Sequence, residues 1–133
     1  MKLFKKKDIF KVKSVPLDPT AISNPTTAVE YHRRGTAYYA RQQYEAAVAD
    51  FKQAIELDVN MVDAYYSLGM VYKATKRKEE AVAAFNKVVE LVASEVGSGK
   101  VSPDMLRRLA LGHVNELTEG DWNLEQEIWK HTD

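Results

Sequence analysis

Between about residues 27 and 96, apolar side chains interrupt the polar ones every third or fourth position, which puts them on one face of an α-helix. The pattern predicts a first helix from about Thr27 to Arg41 and a second from about Tyr44 to Leu57, with the chain turning at Gln42–Gln43. A third follows from about Met61 to Ala74 and a fourth from about Lys78 to Val96. Thr27 and Glu30 fit a capping box at the first start, each side chain satisfying a backbone donor of the opening turn. The fourth helix lacks the stop that ends the second: where one reads Asp58-Val59-Asn60, the other continues Val92-Ala93-Ser94-Glu95, so it should run a turn longer, to Gly97–Gly99. Ser102-Pro103-Asp104 opens a fifth helix, to about Thr118: a hydroxyl cap, proline where no N–H is needed, then an acid. Gly120-Asp121 breaks it before a last helix, about Trp122 to Lys130.

The apolar pattern also repeats itself at a spacing of 34 residues, without a gap. Tyr31 recurs as Tyr65, Gly35 as Gly69, Tyr38 as Tyr72, Ala47 as Ala81, Phe51 as Phe85, Glu56 as Glu90 and Leu57 as Leu91. A fixed period of this length is the signature of stacked helix–turn–helix units. Dense alanines in the second and fourth helices (Ala46, Ala47, Ala49, Ala54, Ala81, Ala83, Ala84) favour helix and close helix contact.

These residues resemble the tetratricopeptide repeat family. Tyr31 and Tyr65 stand at its large first-helix position, Gly35 and Leu68-Gly69 match its leucine–glycine pair, Ala47 and Ala81 its small residue, and Phe51 and Phe85 the aromatic after it. Arg34 replaces the leucine of the first repeat, and Val59 and Ala93 replace the closing proline. The resemblance covers residues 28–95 and implies an all-α fold, a right-handed superhelix of antiparallel helix pairs with two regular repeats at about 28–61 and 62–95. Residues 103–132 form either a degenerate third repeat, with Leu111-Gly112 echoing Leu68-Gly69, or a capping hairpin; two repeats alone would leave an apolar end.

The chain should divide into an N-terminal arm, 1–26, and a helical domain, 27–133. The arm holds Pro16, Pro19 and Pro25 and has no sustained helical period. Net charge is zero overall, yet residues 1–13 carry Lys2, Lys5, Lys6, Lys7, Lys11 and Lys13 against Asp8, a net +5 balanced by −5 in the rest. A basic arm on an acidic body is an interaction tail or a solubilising end. Val15, Leu17 and Ile22 could instead cover the open side of the first two helices. No run suits a signal peptide or a membrane span, so a cytoplasmic location is expected.

No catalytic constellation stands out. Gly97-Ser98-Gly99-Lys100 has the wrong residues for a phosphate loop at Ser94 and Val101, and follows a helix rather than a strand. His32, His113 and His131 show no metal-ligand spacing, and there is no cysteine. The expectation is a binding protein, not an enzyme, with no metal or cofactor. In the resembled family the first helix of each repeat lines a concave groove that grips a peptide or helix of another protein. Transferred by position, that groove comprises Val29, His32, Thr36, Tyr39 and Ala40 with Asp63, Tyr66, Met70, Lys73 and Ala74, and Tyr39, Tyr66 and Met70 are its anchors. Tyr31, Tyr38, Tyr65 and Tyr72 fall at packing positions. The family's chaperone-tail clamp needs Lys and Asn where His32, Thr36 and Ser67 stand, and is not expected here. The expected role is adaptor or complex assembly, with self-association through the arm a further option. The alternative is a tether in which Lys5, Lys6, Lys7, Lys11 and Lys13 hold anionic membrane or nucleic acid.

Overall fold

A computed structural model describes residues 18–93 and 103–120. Residues 1–17 with the lysines of the arm, the 97–102 linker, the end of the fourth helix beyond Ala93 and the last helix with Trp122, Leu124, Ile128 and Trp129 lie outside the described residues.

A short 3-10 turn at Pro19–Ala21 precedes five helices: α1 (Ala28–Ala40), α2 (Tyr44–Leu57), α3 (Val62–Ala74), α4 (Lys78–Ala93) and α5 (Pro103–Glu119). No strand occurs among the described residues. Successive helices pack on one another along the chain, and α1 also touches α3, so the first helices of successive units lie side by side. This is the expected all-α repeat architecture. The capping box at α1 is present: the Thr27 hydroxyl accepts from the Glu30 N–H at 3.1 Å, and Glu30 Oε1 accepts from the Thr27 N–H at 3.2 Å.

The two repeats close their first helices with the same device. The chain leaves α1 through Gln42 (φ 59°) and α3 through Lys76 (φ 61°), both left-handed. In each case the next N–H reaches back to a carbonyl five residues earlier, Gln43 to Tyr38 at 2.9 Å and Arg77 to Tyr72 at 2.8 Å. These two bonds complete a Schellman motif and satisfy carbonyls that a helix end leaves open. Glycine is the usual residue at that left-handed position; this chain accepts the strain twice.

The core follows the repeat. Phe51 and Phe85 are 1% and 0% exposed, as the repeat pattern requires. Each ring lies against the glycine of the facing helix. A β-carbon on Gly35 would stand 2.8 Å from the Phe51 ring, and one on Gly69 would stand 2.7 Å from the Phe85 ring, far inside contact distance. The glycines are thus needed for the approach of α1 to α2 and of α3 to α4, not for an unusual backbone. Of the four tyrosines at packing positions, Tyr72 is buried, Tyr38 and Tyr65 pack on the core while part exposed, and Tyr31 is partly buried. Tyr31 and Tyr38 belong to the first repeat, before which no helix pair lies among the described residues.

That open end also explains Arg34. Its guanidinium grips the buried Asp50 carboxylate with two bonds, 2.7 Å from Nε and 2.8 Å from Nη2. It lies over the Tyr31 and Tyr38 rings, each 5.8 Å away. The Asp50 carboxylate holds the Arg34 guanidinium above its ordinary pKa. Thirty-four residues on, the same two places hold Leu68 and Ala84, both buried.

Phe85→Ala should cost about 3–5 kcal/mol in urea unfolding, as for other buried aromatics cut to alanine. Lys76→Gly should instead raise stability by about 0.5–1 kcal/mol, because relief of left-handed strain outweighs the added chain entropy.

Candidate functional site

Polar contacts tie α1, α3 and α5 into one face. His32 on α1 meets Ser67 on α3, Nε2 to Oγ 3.0 Å. Tyr66 on α3 meets His113 on α5, hydroxyl to Nε2 3.0 Å. Lys73 on α3 meets His113 Nδ1 at 3.0 Å and the Glu116 carboxylate at 3.0 Å. The face runs α1–α3–α5, with the α2 and α4 phenylalanines behind it. His32 sits 5.4 Å from the Phe51 ring and Tyr66 5.5 Å from the Phe85 ring, the same contact made once per repeat. His113 then stacks on Phe85 from the next layer, centroids 4.6 Å apart and planes 14° from parallel.

The expected groove residues divide into two groups. Val29, Thr36, Ala40 and Ala74 are exposed along the face. His32, Tyr39, Asp63, Tyr66, Met70 and Lys73 are half-buried. Tyr39, Tyr66 and Met70 pack on the core with their inner sides, and Tyr39 also lies 5.9 Å from the Tyr44 ring. The anchors therefore have structural duties as well as exposed area. Thr36 spends its hydroxyl on the His32 carbonyl at 2.9 Å, the usual habit of threonine inside a helix.

Two members of the face, His113 and Glu116, were absent from the sequence assignment. The signal for His113 was present: the residue after each repeating glycine belongs to the face, Thr36 after Gly35 and Met70 after Gly69, and His113 follows Gly112 in the same way. Only the pairing with Lys73 and Tyr66 needed the fold.

The proton positions at His113 follow from its partners. An ammonium group can only donate, so Lys73 makes Nδ1 an acceptor and the proton sits on Nε2. Nε2–H then donates to the Tyr66 oxygen, and the Tyr66 hydroxyl keeps its own hydrogen for another acceptor. Burial is the main reason the His113 pKa falls to about 4; the Lys73 charge adds to the drop and Glu116 opposes it. Burial also lowers His32, against the pull of Asp63, and raises the Tyr66 phenol, with Tyr39 adding to the rise. Both histidines on this face are thus held toward the neutral state.

No group of three or more metal-ligating side chains occurs among the described residues. No helix among the described residues is long and apolar enough to cross a membrane.

A stack of paired helices whose first members share one face is a helical-repeat scaffold. The family models described as "TPR repeat" and "Tetratricopeptide repeat" match residues 35–76 and 62–92. The two matches together span residues 35–92, and over that stretch the chain is similar to the tetratricopeptide repeat family, in line with the 34-residue period. Repeats of this family generally mediate protein–protein interaction and are generally non-enzymatic. A comparison with curated proteins finds no match.

The His113 ring should titrate near pH 4 by NMR, against an ordinary value of 6.5. The folded-state pKa is depressed, so between those two values the unfolded chain binds more protons than the folded one. Stability should therefore fall as pH drops through that window, and His113→Phe, which keeps the ring stack, should flatten the fall. A ring midpoint at or above the ordinary value would contradict the burial described.

Proposed function

We propose that this chain is an adaptor or complex-assembly module, and that the face formed by α1, α3 and α5 holds a peptide or helix of another protein. One observation carries the reading: the face combines exposed positions with half-buried tyrosine and methionine on a rigid backing. Thr36 and Val29 lie exposed beside Tyr39, Tyr66 and Met70, whose inner sides are fixed by the core. Aromatic and methionine side chains that are already ordered lose little entropy when a partner covers them. The unspent Tyr66 hydrogen and the Asp63 carboxylate supply polar points that orient a backbone. The contacts within the face support a preformed site, because His32–Ser67 and Lys73–Glu116 hold neighbouring helices in register without a ligand.

The test separates this reading from tethering through the arm. Thr36→Arg should block the face without disturbing the core, since Thr36 is exposed. Partner capture should fall about tenfold or more, the scale of a central interface contact. Tyr39→Ala should weaken it by a similar factor when capture is measured well below the melting temperature, which this change also lowers because the inner side of Tyr39 packs on the core. Replacing Lys5, Lys6 and Lys7 with alanine should leave capture intact. Capture that survives Thr36→Arg and disappears in the lysine variant would overturn the groove reading in favour of the arm.

A further inference from the structure

The first repeat departs from the second at one paired position, and the departure coincides with a segment folded over that end. Arg34 and Asp50 stand where Leu68 and Ala84 stand one repeat later. In the second repeat those apolar side chains are buried, and α3 packs against α2 of the repeat before it. In the first repeat no helix pair precedes α1 among the described residues; residues 18–26 do. The 3-10 turn packs on α1 and Pro19 is buried. Asp18 ties the turn internally, accepting from the Thr20 N–H at 3.0 Å and the Thr20 hydroxyl at 2.8 Å. Arg34 then donates from Nη1 to the Ile22 carbonyl at 3.2 Å while its other nitrogens hold Asp50. A single guanidinium thus serves the strap and the buried carboxylate at once. Leucine at this place would give the strap no donor, and would leave the apolar surface that a stacking repeat needs.

We propose that residues 18–26 are a strap across the open end of the repeat stack, latched by Arg34 on Asp50, and that this ionic latch keeps a second copy of the chain from stacking there. The two roles depend on each other. The pair is costly to bury unless both partners are engaged, and swapping both partners of such a pair for well-packed apolar residues is often neutral or better for a fold. What changes is the identity of the surface: a polar, strapped end becomes an internal-type face, which in repeat proteins is completed by another repeat.

The experiment uses the full chain and two variants. Arg34→Leu with Asp50→Ala copies the second repeat. It should keep its helix content, free the strap and make the chain self-associate with concentration in sedimentation. Backbone order parameters of residues 20–24 should drop from about 0.85 to below about 0.6 as the strap is released. Arg34→Lys keeps the charge but loses the fork that serves Asp50 and Ile22 together. It should lower the same order parameters without promoting association, and it decides the latch if the double variant fails to fold. An unchanged strap in either variant overturns the latch. A double variant that sediments as the wild type does overturns the barrier to stacking.

Discussion

Everything in this fold is set by how closely a phenylalanine ring approaches a glycine. Phe51 lies where Gly35 has no side chain, and Phe85 does the same at Gly69. The ring fills the space between the two helices of a pair and is sealed from water. The contact recurs after one repeat, so both helix pairs close on the same approach of ring to glycine. Interiors are packed at near-crystalline density, so a methyl group added at that point cannot be absorbed locally. The Schellman turns at Gln42 and Lys76 follow from the same demand: the second helix must return at a fixed angle, and the chain tolerates a strained backbone to achieve it.

The face proposed to hold a partner is the outer layer of this contact. His32 and Tyr66 lie on the Phe51 and Phe85 rings, so their orientation is inherited from the glycine–phenylalanine spacing. His113 then brings α5 down on the other side of Tyr66 and Phe85. The hydrogen bonds along the face link neighbouring helices of that face, and the stack of His113 on Phe85 adds a ring contact between α4 and α5. A partner lying across α1, α3 and α5 would meet side chains whose rotamers are already chosen. Neutral histidines suit that role, since a charged imidazole at His113 would face the Lys73 ammonium.

Much of this was legible in the amino-acid order, and the reasons are specific. The 34-residue identities fixed the helices, the buried phenylalanines and the close glycines, because those positions answer to backbone spacing. The Thr27–Glu30 box was readable because both partners lie within one turn. Long-range polar pairings were not. Arg34 showed only as a departure from a leucine; its meaning rests on Asp50, which lies sixteen residues away on another helix. His113 sat in the right register after Gly112, but its partners Tyr66 and Lys73 are forty or more residues earlier. Periodicity reports which side of a helix a residue occupies. It does not report which neighbour satisfies a hydrogen-bonding group there.

The most direct test of the glycine–phenylalanine spacing is a double-mutant cycle in urea between Gly69→Ala and Phe85→Leu. Alone, Gly69→Ala forces a β-carbon against the Phe85 ring and should cost about 1–3 kcal/mol, the range for overpacking a core. In the Phe85→Leu background the ring edge is gone, and most of that cost should vanish, giving a coupling energy of about 1 kcal/mol or more. Additive costs, with no coupling between the two sites, would contradict the claim that this contact sets the repeat.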